Sequence, residues 1–318
     1  MSLSAGHWHA VLSSRELSSR PVGKERFGTR LVFWRDGTGQ PACAHDRCPH
    51  RGAALSLGQV NNGAIACPYH GFEFDRDGAC VRVPAEGPDW QIPAHLRVGT
   101  LPVREAQDLV WLWQGPAVPE AQLPPLPVQP GLEGRSFNEC IQTWPAHYTR
   151  CIEGVVDHSH LPFVHRKTLG RRIKDPRTRV RVDETDGGFR VNLMEGEKIR
   201  HHVDFTYPNI WTQHLTAGYG MSCTFAPIND RSTEVICRVH HKLHGAAWRP
   251  FMQLWTRLSN WLVFHEDQEV LDSQQPRSAD EAVDEKLVPS DAGVLAFRKL
   301  RVAHEADRST PDAAAGPR

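Results

Sequence analysis

Alternating hydrophobic and polar positions dominate the first third of the chain and predict short strands joined by turns. In TRLVFWRDGTGQPACAH (residues 29–45), two apolar runs flank Asp36-Gly37, which is typical of a hairpin turn. GFEFDRDGACVRV (71–83) repeats this pattern around Asp77-Gly78, and DLVWLWQG (108–115) predicts a further strand. Six prolines between residues 116 and 130 exclude a helix or a central strand, so we interpret that stretch as an extended inter-domain connection.

The rest of the chain mixes helical and strand patterns. WPAHYTRCIEGVVDHSH (144–160) predicts a helix that ends near Pro162, and the strong alternation of residues 178–243 predicts an antiparallel sheet. RPFMQLWTRLSNWLVFHEDQEVLDSQQ (249–275) predicts a long helix. For a chain of 318 residues these patterns indicate an α+β protein of two domains, which we place at residues 1–118 and 119–318.

Composition narrows the class of function. Lys plus Arg equals Asp plus Glu at 37 each, and this balance argues against a nucleic-acid-binding protein. The start of the chain has no basic segment followed by an apolar core, and no apolar run approaches the length of a membrane span. We therefore expect a soluble, cytoplasmic protein with neither a nucleic-acid nor a membrane partner. Its eight cysteines fit metal ligands or buried thiols better than a disulfide framework.

Two cysteines and two histidines form a metal-site pattern. Cys48-x-His50 is followed, after sixteen residues, by Cys67-x-x-His70. Two thiolates and two imidazoles suit either a tetrahedral structural zinc ion or a [2Fe–2S] cluster with cysteines on one iron and histidines on the other. Each short pair here contains one Cys and one His and lies between predicted strands, whereas zinc fingers usually repeat one residue type within a pair. This mixed pairing favours the cluster.

A second candidate site lies in DHSHLPFVH (157–165). On the predicted helix, Asp157 and His160 share a face because they are three residues apart, while His158 points away from both. Pro162 is expected to end the helix and to free His165 to turn back toward His160. We therefore predict that His160 and His165 bind one metal ion, and we interpret His158 as a solvated or hydrogen-bonded histidine.

Two histidines need a carboxylate to complete the facial triad that binds Fe(II) in non-haem iron enzymes. Asp267 has only apolar residues one turn away on the long helix, and a carboxylate in such surroundings is costly unless it is paired or bound to metal. Glu266 is the competing candidate, whereas Glu269 and Asp272 lie among polar residues. The pattern favours Asp267.

These motifs resemble those of the Rieske non-haem iron oxygenases. CPHRGAALSLGQVNNGAIACPYHGFEFD (48–75) resembles the Rieske domain of the ring-hydroxylating and demethylating oxygenases, a likeness that covers roughly residues 5–115. DHSHLPFVH is similar to the iron-binding motif of that family, and FHEDQEVLDSQQ (264–275) to its carboxylate-bearing segment. The family often has Trp where Phe72 stands and Asn where Glu153 stands, so the role of Glu153 is left open.

The resemblance implies two cofactors and a ligand set for each. The [2Fe–2S] cluster would be held by Cys48, His50, Cys67 and His70, and Fe(II) by His160, His165 and Asp267. Asp157 would be no ligand but a bridge for electron transfer, hydrogen-bonded to His160 and to the cluster ligand His70 of a neighbouring subunit. The implied fold is an all-β Rieske domain followed by a helix-grip domain, an antiparallel sheet flanked by helices.

The resemblance also implies an activity. The chain would be the oxygenase component of a Rieske monooxygenase or demethylase, which uses O2 and electrons from NAD(P)H, relayed by a separate ferredoxin or reductase, to act on a small aromatic substrate. No G-x-G-x-x-G fingerprint for a nucleotide is visible in the chain. Members of this branch form head-to-tail homotrimers. The alternatives are an aromatic-ring cis-dihydroxylating dioxygenase and a Rieske electron carrier with an inactive second domain.

Weaker signals concern the substrate pocket and docking. Candidates for the pocket wall are Met194, Trp211 and His214, and some of His201, His202, His240, His241 and His244. Residues 165–181 carry eight Lys or Arg, which would suit an acidic ferredoxin or simply form a solvated loop.

Overall fold

The computed structural model describes residues 6–129, 132, 135–216, 219–241, 249–282 and 284–309. The chain divides into two compact units. The first contains the chain up to Val128 together with Ala226–Asn229, and the second contains Gln129–Phe225 and the chain from Asp230 onward. Within the described ranges, no helix combines the length and apolar character needed to cross a membrane.

The first unit is built from short antiparallel strands. They form three sheets with the orders β1-β10-β9, β2-β3-β4 and β5-β6-β7-β8. The strands are β1 (His7–Ser13), β2 (Val22–Arg26), β3 (Thr29–Arg35), β4 (Pro41–His45), β5 (Gln59–Asn61), β6 (Ala64–Ala66), β7 (Glu73–Phe74), β8 (Cys80–Arg82), β9 (Val103–Ala106) and β10 (Leu109–Gln114).

Both hairpins predicted in this unit are confirmed. β3 pairs with β4 across the Asp36-Gly37 turn, and β7 pairs with β8 across the Asp77-Gly78 turn. Asp36 and Asp75 stabilise the two turns in the same way, because the carboxylate of each accepts a hydrogen bond from the backbone N–H two residues later, at 2.8 and 3.0 Å. DLVWLWQG forms β10, whose alternating bulky side chains are buried.

The second unit contains a seven-stranded antiparallel sheet in the order β11-β17-β16-β15-β14-β13-β12. Its strands are β11 (Ser136–Trp144), β12 (Val180–Thr185), β13 (Gly188–Glu195), β14 (Lys198–Thr206), β15 (Ile210–Thr216), β16 (Tyr219–Asn229) and β17 (Ser232–His241). The helices are α1 (Tyr148–Val156), α2 (Leu161–Val164), α3 (Arg249–Ser273) and α4 (Ala292–Ser309).

One hydrophobic core joins this sheet to three of the helices. Ile152 and Val156 of α1, Phe264 of α3 and Phe297 of α4 pack with sheet residues such as Phe225. The predicted α+β class, with an all-β N-terminal part and an antiparallel sheet flanked by helices, is confirmed.

The predicted end of the first helix is wrong. α1 ends at Val156, and Asp157 is already extended with ψ of 130°. Instead of continuing the helix, the Asp157 carboxylate accepts a hydrogen bond from the backbone N–H of Ser159 at 2.7 Å, a local turn that competes with helix. Pro162 does not end a helix but lies in the first turn of α2, where its missing N–H costs nothing.

Candidate metal centres and substrate pocket

Two loops of the same design carry the first predicted ligand set. Each begins with Cys-Pro and ends at a glycine, Cys48 to Gly52 after β4 and Cys67 to Gly71 after β6. In both loops the glycine N–H donates to the cysteine carbonyl, and the cysteine N–H donates, at 2.8 Å, to the carbonyl of the residue that follows the glycine. Both glycines have positive φ, 78° and 72°, a conformation that favours glycine and lets the loops close this tightly.

The two loops place their two thiols next to each other and their two imidazoles next to each other. Cys48 and Cys67 are buried, 2% and 3% exposed, and their side chains interact directly. Burial raises the pKa of Cys48 to about 11, although the backbone N–H groups of His50 and Arg51 act to lower it. The rings of His50 and His70 lie 4.8 Å apart between centroids. The four side chains are therefore sorted by type into a sulfur pair and a nitrogen pair.

Phe72 supports the imidazole side of this arrangement. Its ring stacks on that of His50 with centroids 4.6 Å apart and an interplanar angle of 2°. The side chain of Phe72 is itself buried in a hydrophobic cluster together with Cys48 and Cys67. An apolar platform beneath His50 restricts the orientation of the ring, and Phe72 supplies that platform where the family often has Trp.

The second predicted ligand set converges on one point. Among the described residues, His160, His165 and Asp267 each place a potential ligand atom within 4.8 Å of the other two. The Nε2 atom of His165 lies 3.1 Å from Oδ1 of Asp267, and Nε2 of His160 lies 3.7 Å from the same oxygen. Two imidazoles and one carboxylate are the donor set of a facial triad.

The short helix α2 sets the spacing of the two histidines. His160 precedes α2 as its N-cap and His165 follows it as its C-cap, so one helical turn separates them. The carbonyl of His160 accepts hydrogen bonds from the N–H groups of Phe163 and Val164 at 2.9 and 2.8 Å, which fixes the backbone at this end. The two histidines therefore meet through a separate one-turn helix and not through a continuation of α1.

Each histidine presents its other ring nitrogen to a second carboxylate. Nδ1 of His165 lies 3.0 Å from Oε2 of Glu266, and Nδ1 of His160 lies 3.5 Å from Oδ2 of Asp157. Because a carboxylate accepts hydrogen bonds, Nδ1 of His165 carries a proton toward Glu266, while Nε2 is the nitrogen directed at Asp267 and the one that would bind a metal ion.

Neighbouring side chains shift the pKa values of His165 and Asp157. Burial alone would lower the pKa of His165, but its bonds to Asp267 and Glu266 outweigh burial and raise that pKa. Burial also acts to raise the pKa of Asp157, yet hydrogen bonds from His160 and Ser159 hold it below its usual range. The carboxylate of Asp157 therefore remains ionised beside His160 at neutral pH.

Sequence reasoning missed the part played by Glu266. That residue is the rival candidate ligand on α3, but its side chain lies on the Nδ1 side of His165 and also accepts a hydrogen bond from Thr168 Oγ1 at 2.6 Å. The signal was its position next to Asp267, because adjacent residues on a helix point about 100° apart and so reach different sides of one imidazole.

A cavity of about 550 Å³ opens onto the three converging residues. Its walls are mainly apolar, and the described lining contains Asp157 and Asp267 but neither lysine nor arginine. The apolar wall includes Leu161, Val203, Trp211, Met221, Val239, Val263 and Phe264. This volume lies within the range of pockets that take small organic ligands.

His158 and His201 form a polar patch in this cavity. Their rings are 5.1 Å apart, and both residues belong to the lining. Burial lowers the pKa of His158 to about 4 and also lowers that of His201, so both rings are neutral at physiological pH. Of the two alternatives for His158, a solvated or a hydrogen-bonded histidine, the first is wrong because the residue is buried, and the second is supported by its hydrogen bond to the backbone of Val156.

Only some of the other predicted pocket residues belong to the described lining of the cavity. Trp211 and His201 line the cavity, whereas Met194, His202 and His214 do not belong to its described lining. His240 and His241 instead lie within hydrogen-bonding distance of Ser222 and Asn138, at 2.8 and 3.2 Å. His244 lies outside the described residues.

Glu153 is tied into a closed ring of charged side chains. It accepts hydrogen bonds from Arg150 at 2.8 Å and from Arg298 at 2.6 Å, and Glu285 accepts from the same two arginines at 2.7 and 2.6 Å. These four residues line a second cavity of about 190 Å³ that also reaches Asp157, His160 and Asp267. Glu153 thus connects α1 with α4.

Comparison with known families gives two matches. Residues 7–103 match the Rieske [2Fe-2S] domain, and residues 144–306 match the vanillate O-demethylase oxygenase C-terminal domain. The chain is 37% identical to chlorophyllide a oxygenase from Chlamydomonas reinhardtii over 166 residues. This stretch covers 52% of this chain and 25% of that protein. The chain is 34% identical to the oxygenase component of dicamba O-demethylase from Stenotrophomonas maltophilia over 166 residues, 50% of this chain and 47% of the other. The matched part thus spans less than half of these relatives.

Two solved structures have a similar fold along nearly the whole chain. Dicamba monooxygenase bound to dicamba aligns with a TM-score of 0.78 at 21% identity, covering 98% of this chain and 100% of the other. NdmA from Pseudomonas putida CBB5 aligns with a TM-score of 0.75 at 26% identity, covering 96% of this chain and 92% of the other.

Proposed function

Because this chain belongs to the Rieske non-haem iron oxygenases, with a vanillate O-demethylase-type C-terminal domain, we propose that it is the oxygenase component of a monooxygenase or demethylase. It uses O2 and electrons from NAD(P)H, relayed by a separate ferredoxin or reductase, to hydroxylate or to O- or N-demethylate a small aromatic substrate. The observation that carries this proposal is the group His160, His165 and Asp267 at the wall of a largely apolar cavity.

The residues of the first unit fit a Rieske cluster. Such a cluster takes two cysteines on one iron and two histidines on the other. The sulfur pair Cys48 and Cys67 and the nitrogen pair His50 and His70 are sorted in this way. These four residues are therefore the proposed cluster ligands, and the twin Cys-Pro loops hold them.

The residues of the second unit fit a mononuclear Fe(II) site. His160, His165 and Asp267 are the proposed ligands, since they are the two histidines and one carboxylate that such sites use. When bound, the cluster supplies electrons and the Fe(II) ion offers open positions for O2 activation. Glu266 holds the proton of His165 on Nδ1, and this keeps Nε2 available as a ligand.

Asp157 is the proposed bridge between two subunits. One of its oxygens lies 3.5 Å from Nδ1 of His160, and the residue also borders the second cavity. We propose that in a head-to-tail homotrimer Asp157 also accepts a hydrogen bond from His70 of a neighbouring subunit. A carboxylate between two imidazoles fixes the orientation of both rings.

The cavity selects the kind of molecule that reaches the metal site. Apolar walls exclude water from a bound substrate, and the neutral pair His158 and His201 offers hydrogen bonds at one place. A ring dihydroxylation would need the same ligands. Counting the O2-derived oxygen atoms in the product separates the two reactions, because dihydroxylation inserts two and monooxygenation one.

Metal analysis and O2 uptake test the proposal. Purified anaerobically, the chain is expected to hold about three irons, two in the cluster and one at the mononuclear site. His160→Ala should lose one iron and keep the visible spectrum of the cluster. With a ferredoxin and reductase, the wild type should consume O2 in the presence of some members of a panel of methoxylated aromatic compounds, whereas NADH alone should drive no turnover. Zinc in the cysteine site of freshly made protein, with no reconstitution by iron, would overturn the proposal.

A further inference from the structure

Helix α3 carries large apolar side chains on the face that it turns to solvent. Leu254, Trp255, Leu258, Trp261 and Leu262 are each between 52% and 61% exposed. At 100° per residue they fall within an arc of about 120°, so they form one continuous stripe along the first half of the helix. We call these five residues the α3 stripe.

The opposite face of α3 is already buried. Thr256, Asn260, Phe264 and Leu271 are all buried, so the stripe is not the side by which α3 packs on its own unit. A surface helix normally places charged and polar residues on its outer face. A contiguous exposed apolar patch of this kind marks a site of contact with another molecule or with lipid.

The stripe continues to the mouth of the substrate cavity. Trp255 belongs both to the stripe and to the cavity lining. Leu169, Ile173, Leu215 and Tyr219 also belong to that lining and are exposed at the surface, between 37% and 59%. Exposed apolar side chains therefore lie on the outside of α3, at the rim of the cavity and, through Trp255, in the cavity wall.

A basic segment borders the same rim. Residues 166–174, RKTLGRRIK, contain five Lys or Arg and no acidic residue, and all five basic residues are exposed. Leu169 and Ile173, which line the cavity, belong to this segment, and it is anchored to α3 by the bond from Thr168 to Glu266. Positive charge thus lies along one side of the apolar opening.

We propose that the α3 stripe and the basic segment 166–174 form a docking surface for an anionic lipid bilayer, from which an uncharged, apolar substrate enters the cavity. The docking surface is inferred only from the exposure of the α3 stripe and the charge of the basic segment, while the entry of substrate rests on the proposed oxygenase function. Apolar and aromatic side chains beside lysine and arginine are the features of proteins that lie in the membrane interface without spanning it.

Other occupants fit these observations less well. A second copy of the chain or a docked electron-transfer protein on the stripe would cover the rim of the cavity and obstruct the substrate. A bilayer instead supplies an apolar substrate through that opening. The expectation of no membrane partner came from the lack of a spanning segment, and a surface that only rests on lipid produces no such segment.

Vesicle flotation of the iron-loaded protein tests the docking surface. We compare vesicles of phosphatidylcholine alone with vesicles that also contain phosphatidylglycerol. The wild type should float with the anionic vesicles, and added salt should weaken this binding. Leu258→Glu with Leu262→Glu should reduce the bound fraction at least about tenfold on both vesicles, because two apolar side chains are lost from the interface. Neither position lines the cavity.

The basic segment is tested separately. Arg171→Gln with Arg172→Gln should weaken binding to the anionic vesicles by about fivefold for each charge removed and leave binding to neutral vesicles unchanged. Val302→Glu on α4, another exposed apolar position, is the control for the stripe. Lys286→Gln with Lys299→Gln, which removes two exposed positive charges elsewhere, is the control for the segment. Both controls should float like the wild type.

Three results would overturn the docking surface. The first is a wild type that stays unbound, or stripe variants that float as well as the wild type. The second is a loss of oligomer in the Leu258 and Leu262 variant, which would make the stripe a subunit contact. The third is that Arg171→Gln with Arg172→Gln abolishes the binding of an acidic ferredoxin but leaves the binding of lipid unchanged. Flotation does not depend on turnover, so the two proposals can fail separately. If the protein is active but does not float, only the docking surface is contradicted. If it floats but binds no iron and consumes no O2, only the proposed function is contradicted.

Discussion

At the metal centre, the two histidines are each held between two carboxylates. Asp267 lies on the Nε2 side of both rings, while Glu266 faces Nδ1 of His165 and Asp157 faces Nδ1 of His160. A carboxylate that accepts the Nδ1 proton fixes the tautomer and makes the imidazole a stronger ligand through Nε2. We therefore expect the outer carboxylates to strengthen metal binding at the proposed site without contacting the ion.

Replacing Glu266 measures this contribution. Glu266→Gln removes the negative charge behind His165, and we expect the affinity of the mononuclear site for Fe(II) to fall about 10- to 100-fold. The cluster spectrum should not change. Competition of the protein with an Fe(II) chelator gives the affinity. Glu269→Gln, at an exposed position on the same helix, is the matched control. Equal affinities of both variants and the wild type would show that Glu266 does not support His165.

Asp157→Asn tests the proposed bridge. Asparagine keeps the shape and one acceptor oxygen but loses the charge that favours two donor imidazoles. Because residue 157 is not a proposed ligand, the variant should retain about three irons per chain. It should nevertheless lose nearly all turnover with any substrate found in the O2-uptake screen. Iron analysis and the turnover rate check the two halves of this prediction, and wild-type turnover would make Asp157 a bystander.

At the scale of elements, the sequence predicts the strands and helices whose hydrophobic residues are periodic. It fails to predict where an element ends when a side-chain hydrogen bond competes with the helix. The hairpins, β10 and α3 follow from alternation and from helical spacing. α1 ends at Val156 because the Asp157 side chain captures the N–H of Ser159, a contact that hydrophobic spacing does not reveal. The convergence of His160 and His165 was nevertheless predicted, although the structure achieves it through the one-turn helix α2, which contains Pro162, and not through a helix that ends there.

The charged ring that joins α1 to α4 explains why Glu153 stands where the family often has Asn. Glu153 and Arg150 are buried, and each is bonded to an oppositely charged partner on both sides. Glu153→Gln leaves the arginines with one negative charge fewer, and we expect it to lower the free energy of unfolding of the second unit by about 3 kcal/mol. Differential scanning calorimetry measures the change. Asp272→Asn, which breaks the exposed pair with Arg277, should cost less than about 1 kcal/mol.

The same ring should make the second unit sensitive to acid. Burial acts to raise the pKa of Glu285, but the hydrogen bonds and charges of Arg150 and Arg298 outweigh it and lower that pKa below its usual value of 4.5. A lowered pKa in the folded state stabilises the protein above pH 4.5, and this stabilisation is lost as the pH falls through the folded-state pKa. The melting temperature of Glu285→Gln should therefore fall less steeply than that of the wild type below this pH.

For the whole molecule, the sequence predicts the two cofactor types better than the substrate. Each ligand set is compact in sequence, apart from the carboxylate, and Asp267 could be selected because its helical neighbours are apolar. The cavity, in contrast, is lined by side chains from α1, α2, α3, the loop between α1 and α2, and several strands of the sheet; examples are His158, Met221 and Val263. No short segment carries its shape, so the chemistry of its wall emerges only from the fold.

The proposed head-to-tail homotrimer makes a quantitative prediction for mixed oligomers. Cys48→Ser should lack the cluster, His160→Ala should lack the mononuclear iron, and each variant alone should be inactive. If the Rieske unit of one subunit serves the mononuclear site of the next, equal amounts of the two, unfolded and reassembled together, should recover about one quarter of wild-type turnover. The reason is that half of the subunits keep the mononuclear site and half of their neighbours keep the cluster. Reassembly of wild type alone measures the yield. If electrons instead stayed within one chain, no chain of the mixture would hold both centres, and the mixture would remain inactive at every ratio.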